Sequence, residues 1–143
     1  MIQFPLVIMT GSGQYPEPSE SEYIPGVCNI GKKEIKKRRN AALFSLALCF
    51  LFIGVAYLFG LPKYWRLLMF IPSASFGISF QQWYFKFCVA FGLKGIFNFN
   101  EIGKANTIEE KEYLRKDKLQ AWKIILSGIA LGVVAMLIFF VLL

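Results

Sequence analysis

Residues 41–59 read AALFSLALCFLFIGVAYLF, residues 60–66 read GLPKYWR, and residues 67–85 read LLMFIPSASFGISFQQWYF. The first run holds no ionisable group except the thiol of Cys49 and the phenol of Tyr57. It has the length of about 19 residues that a helix needs to cross a hydrocarbon core about 30 Å thick. The second run is equally free of charge, but Pro72, Ser73, Ser75, Ser79, Gln81 and Gln82 dilute it, which predicts a spanning helix with one polar face. Between the two, Gly60 and Pro62 stop and turn the chain, while Tyr57, Tyr64 and Trp65 sit where aromatic rings anchor at headgroup depth. The stretch predicts a transmembrane hairpin.

Working outward, Ala121 to Leu143 form a third apolar run, uncharged after Lys123. The expected fold class is therefore an all-α integral membrane protein, with three transmembrane helices (about 41–59, 67–85 and 122–143) and interfacial amphipathic segments. Composition agrees. The 143 residues are 56% hydrophobic, above the usual soluble range of about 45–50%, and the mean hydropathy is +0.51. The net charge of +7 comes from basic residues next to the apolar runs, with no aromatic-and-basic module between them. Membrane topology explains them, and nucleic acid is not an expected partner. Histidine is absent, which removes the commonest general base and the usual haem and zinc ligands. No complete catalytic, metal or nucleotide motif occurs, so no cofactor is expected.

The flanks set the orientation. Residues 1–26 open with a short apolar stretch broken by Pro5 that lacks the basic start of a signal peptide, and continue rich in Gly, Pro, Ser and Glu. They are expected to be retained as a flexible tail or as a docking segment for a partner. Residues 27–100 comprise an interfacial helix and the hairpin. Six basic residues, Lys32, Lys33, Lys36, Lys37, Arg38 and Arg39, directly precede the first span, which puts this end in the cytoplasm and in contact with anionic lipid. Glu34 and Arg38 stand one turn apart, Ile30 and Ile35 are expected on the lipid side, and Asn29 is the expected cap. After the hairpin, the phenylalanine-rich and glycine-punctuated residues 86–100 are expected to lie along the membrane surface. Residues 101–143 follow as a cytoplasmic helix continuing into the third span. Thr107-Ile108-Glu109-Glu110 fits a capping box, predicting a helix from about Thr107 to the C-terminus. Lys94 to Lys123 contains seven basic residues, against Lys63 and Arg66 in the loop between the first two spans. All three spans agree on a cytoplasmic N-terminus and a periplasmic or extracellular C-terminus in a bacterial inner membrane.

Two constellations carry the functional expectations. Ser73, Gly77 and Gln81 recur every four residues on one face of the second span, and Gly128 with Gly132 forms a GxxxG pair in the third. Such faces admit close backbone approach, within this bundle or against a second copy or another subunit. Gln81 and Gln82 are expected to bond the first helix or water. Cys49, deep in the first span, reads as structural. Cys28 and Cys88 instead flank spans on the cytoplasmic side, with Lys32, Lys33 and Lys86 close enough in sequence to favour a thiolate. As a candidate thiol pair they could relay a persulfide, form a regulatory disulfide or bind a soft metal, or remain two unpaired interfacial cysteines.

Cys28-Asn29-Ile30-Gly31, the basic run to Arg39, the turn with Pro62 and Trp65, and Phe87-Cys88 followed by Phe91-Gly92 and Gly95 together resemble a known family. It is the small bacterial inner-membrane helical-hairpin domain of unknown function typified by the YgaP transmembrane region. The resemblance covers about residues 27–95. It implies a helical hairpin capable of dimerising, in some proteins fused to a rhodanese sulfurtransferase domain. This chain departs from it by having no rhodanese domain and by adding a third span, so sulfur transfer does not carry over. Only an accessory link through Cys88, and secondarily Cys28, remains. The leading expectation is a non-enzymatic membrane protein, structural or accessory to a complex or self-assembling, whose partners are the lipid bilayer and either itself or other membrane subunits. The alternatives are a thiol-dependent redox, sulfur or metal-handling protein using Cys28 and Cys88, and a small oligomeric channel or transporter built around the Ser73, Gly77 and Gln81 face.

Overall fold

The computed structural model describes residues 23–99 and 106–143; most of the expected N-terminal tail, residues 1–22, lies outside them. The described chain is mostly helical. Helix α1, Lys32–Phe59, has 28 residues, and the last helix, α5, Lys111–Leu142, has 32. Both are long and apolar enough to cross a membrane, yet only 22% of the most apolar part of each is buried. A core helix of a water-soluble protein would be buried on most sides.

The second apolar run is helical without being one α-helix. It passes through α2, Lys63–Arg66, a 3₁₀ turn at Leu67–Met69, and α3, Phe70–Tyr84. The break sits where Pro72 has no N–H to return to the Leu68 carbonyl, so the chain tightens before α3 starts. At 15 residues, α3 alone is shorter than a bilayer crossing requires. Two helices, not three, meet the length criterion unaided.

Each helix end has a local cause. Gly60 takes the left-handed conformation (φ 58°), and the Leu61 N–H returns to the Ala56 carbonyl at 3.2 Å, ending α1 in Schellman fashion. At the end of α3 the same geometry is adopted by Lys86 (φ 54°), the non-glycine residue with positive φ. Phe87 N–H bonds the Gln82 carbonyl at 3.0 Å and Lys86 N–H the Trp83 carbonyl at 3.3 Å.

The short α4, Val89–Lys94, leads into a small ladder in which β1, Ile96–Phe97, pairs antiparallel with β2, Asn106–Thr107. A parallel bridge between Ile30 and Asn98 adds the segment before α1. This ladder departs from the all-α expectation. It also displaces the predicted capping box: Thr107 pairs with Ile96, the Ile108 N–H is taken by the Gly95 carbonyl at 2.8 Å, and α5 begins only at Lys111 with no side-chain cap.

Helix α3 lies between α1 and α5, antiparallel to both. The outer helices touch at the Phe52 and Phe139 rings, whose centroids are 6.0 Å apart. The seam between α3 and α5 is made of small residues. A Cβ on Gly132 would come within 2.7 Å of the Ala74 Cβ, and one on Gly77 within 3.3 Å of the Gly128 Cα. Ser73 and Ser45 are buried on the other side of α3, where Ser45 and Ser75 hydroxyls bond at 3.0 Å and Cys49 Sγ lies 3.9 Å from Ser73 Oγ. At the end where α1 starts, α3 stops and α5 starts, the loops and the ladder close over the bundle as a compact head.

Candidate functional site

The head is where buried polar groups gather. Asn29, Asn98, Asp117 and Cys88 are fully inaccessible, Glu34 nearly so, and Phe87, Ile30, Ala121 and Ile124 pack around them. Ile30, expected to face lipid, is 1% exposed, because the bridge to Asn98 turns this segment inward. Asn29, the expected helix cap, does something else. Gly31 occupies the cap position, without a side-chain bond, since a Cβ there would meet the Phe99 carbonyl oxygen at 2.8 Å. The Asn29 amide instead pairs with the backbone of Cys88: Cys88 N–H donates to Asn29 Oδ1 at 2.7 Å, and Asn29 Nδ2 donates to the Cys88 carbonyl at 3.1 Å. Its own backbone takes the Asn98 N–H at 2.9 Å and donates to the Lys86 carbonyl at 3.4 Å. One asparagine thus joins three segments distant in sequence.

That clamp fixes Cys88 under the first turns of α1. Arg38 Nη2 donates to Cys88 Sγ at 2.9 Å and lies 3.7 Å from Glu34 Oε2. The expected i,i+4 pair of Glu34 and Arg38 is present, turned inward rather than along a surface. Glu34 Oε2 and Arg38 Nε are buried without a hydrogen-bond partner. The sulfur therefore has a guanidinium donor but no solvent.

Cys28 sits apart. Its thiol donates to the Ile30 carbonyl at 3.7 Å and is half-buried, and all three cysteines are free. Burial pushes the Cys28 thiol above its ordinary 9.0, against smaller opposing effects from the Ile30 backbone and the Lys86 charge. At Cys28 desolvation works against the expected lysine-assisted thiolate, outweighing the Lys86 ammonium. At Cys88 the adjacent cation is Arg38, not one of the lysines. No group of three or more Cys, Asp or Glu that could hold a metal occurs among the described residues.

A second buried cluster went unnoticed in the sequence. Tyr23 stacks on Phe97 with centroids 4.7 Å apart, and the Gly26 N–H donates to Asp117 Oδ1 at 2.6 Å. Tyr23 and Gly26 had been expected in the flexible tail; they are docked on α5. Asp117 Oδ2 and the Tyr23 hydroxyl are buried without a hydrogen-bond partner. Burial raises the Asp117 carboxyl above its ordinary 3.8, opposed by the Gly26 N–H and by Tyr23. Burial, then the facing carboxylate, raises the Tyr23 phenol. An aspartate a turn before an apolar run carries no local mark of burial, which is why only the tertiary contact reveals it.

The remaining expected residues fall elsewhere. Ser73, Gly77, Gly128 and Gly132 are consumed in contacts within the bundle. Gln81 also turns toward α5: Ser127 Oγ donates to Gln81 Oε1 at 2.6 Å, and Gln81 Nε2 donates to the Gly77 carbonyl at 3.1 Å. Gln82 Oε1 accepts the Val89 N–H at 3.1 Å, serving the first turn of α4. Of the two partners expected for the glutamines, the first helix or water, the bonds to α5, α3 and α4 use neither. In the basic collar, Lys32, Lys33, Lys36, Lys37 and Arg39 are exposed, and Arg38 alone among the six turns to the thiol.

Comparison with family models, curated proteins and solved structures found no match to this chain.

Proposed function

We propose that this chain is a three-span integral membrane protein of a bacterial inner membrane, N-terminus inside, acting as a structural or accessory subunit of a membrane complex or as a homo-oligomer. The supporting observation is where its apolar surface lies. Phe44, Phe50 and Leu51 on α1, with Leu126, Val134 and Ile138 on α5, are each more than half exposed, and water would not tolerate such faces on both outer helices. The small-residue seam is used up internally, so contact with a second copy or another subunit falls to Phe50 on α1 and to the exposed face of α5. In this reading the 3₁₀ turn and α2 lengthen α3 to a full crossing, and the basic collar keeps the head in the cytoplasm.

Mild-detergent purification from native membranes, with crosslinking and native mass measurement, tests the proposal. Stoichiometric co-purifying subunits or a defined oligomer would support it. Substrate turnover by a partner-free monomer would overturn it.

The Arg38 contact favours a second reading, a thiol function resting on Cys88 rather than on a Cys28–Cys88 pair. A Cys88→Ser chain that assembles and supports growth as the wild type does would refute that reading.

A further inference from the structure

Between α1 and α3 runs an open apolar groove of about 460 Å³ lined by Phe44, Leu48, Leu51, Val55, Leu68 and Ile71 among others. Ser45 and Ser75, whose hydroxyls bond at 3.0 Å, belong to its lining. From Phe44 to Val55 the groove follows α1 for about 17 Å at 1.5 Å per residue, close to the roughly 15 Å of one leaflet's hydrocarbon.

The same face of α1 continues upward into charge. Lys33, Lys37, Phe44, Leu48, Leu51 and Val55 are separated by four, seven, four, three and four residues, the spacing of a single helix stripe. Lys33 and Lys37 are exposed, and Lys37 stands about 10 Å above the groove's upper end, at the depth of a headgroup phosphate. Lys36 and Arg39 point off this line.

We infer that the groove seats one acyl chain of an anionic phospholipid whose phosphate is held by Lys37 and Lys33. Charge complementarity selects the occupant: a cationic pair capping an apolar trough of one-leaflet length fits a lipid with a negative headgroup. The inference rests on the membrane-spanning reading.

The probes are phosphatidylglycerol and phosphatidylcholine of matched chains, presented to the purified full chain in mixed micelles and read by native mass measurement. The expected result is one retained phosphatidylglycerol per protomer, preferred about tenfold over phosphatidylcholine, as two juxtamembrane lysines would confer. Lys37→Gln should erase most of the preference while leaving the chain folded. Leu51→Trp, at an exposed groove position, should reduce retention of both lipids. Equal retention of the two lipids by the wild type, insensitivity to both variants, or a dimer excluding lipid from the groove would each overturn the inference. Insertion into vesicles of the same lipids separates the two levels. A chain that fails to insert refutes the membrane reading and this one together, while insertion without headgroup preference refutes only the lipid site.

Discussion

Replacing Asn29 by alanine should open the head without dismantling the helices. The substitution removes both amide bonds to Cys88. The Cys88 carbonyl keeps the Gly92 N–H at 2.9 Å, but the Cys88 N–H is left buried with no acceptor. An unsatisfied buried donor costs about 1–3 kcal/mol and the lost second bond about 0.5–1.5 more. Together these amount to about 2–4 kcal/mol, a large share of a typical domain's stability. Cys88 itself is the reporter, because it is fully buried and reacts with a maleimide only when the head opens. In a chain carrying Cys28→Ser and Cys49→Ser, Asn29→Ala should raise the alkylation rate of Cys88 by roughly 30- to 700-fold, a tenfold change corresponding to about 1.4 kcal/mol of opening free energy. Helical content by circular dichroism should hold. A labelling rate within threefold of the parent would refute the role given to Asn29.

Three other outcomes follow from the same geometry. Lys86→Gly relieves a left-handed lysine and should raise stability by about 0.5–1 kcal/mol net of glycine's entropy, read as a higher melting temperature in detergent. Gly132→Ala, whose added Cβ would meet Ala74 at 2.7 Å, should cost about 1–3 kcal/mol. Gly54→Ala, with nothing within 4 Å, should be neutral or stabilising by up to about 1 kcal/mol; denaturant titration in mixed micelles compares the two. For Asp117, burial raises the folded value above the ordinary 3.8, so its protonated form favours folding. That contribution is complete below about pH 4 and is lost as pH rises through the raised folded value. Asp117→Asn should flatten the part of the stability profile that lies above the ordinary 3.8 while keeping the Gly26 bond, and an unchanged slope would refute the assignment.

The long helices were legible because length and uninterrupted apolarity are local properties: Gly60 ends α1 where the residues say it should, and α5 runs unbroken through Leu142. The 3₁₀ break before α3 was marked by Pro72 but not read, since a proline near the start of a helix is equally compatible with a continuous span. The head was mostly illegible. Thr107 to Glu110 carry every residue of a capping box, yet pairing with Ile96 claims the threonine first. Asn29 sits where a cap belongs, yet its amide meets Cys88, 59 residues away. Cys28 and Cys88 looked alike by position and lysine neighbours, whereas burial and Arg38 set them apart. In each case the deciding partner is distant in sequence, and local pattern has no access to it.

The head draws on segments far apart in the described chain: Tyr23 to Gly26, the bridge segment Asn29 to Gly31, the loop at Lys86 to Cys88, and Asp117 with Ala121 from α5. Synthesis delivers α5 last. A nascent chain that has made only α1 and α3 must leave Ile30 and Phe87 uncovered and the Gly26 N–H without its carboxylate. Closure of the head thus reports that α5 has docked, and chains in which α5 is wrongly threaded would carry a sticky apolar patch in its place.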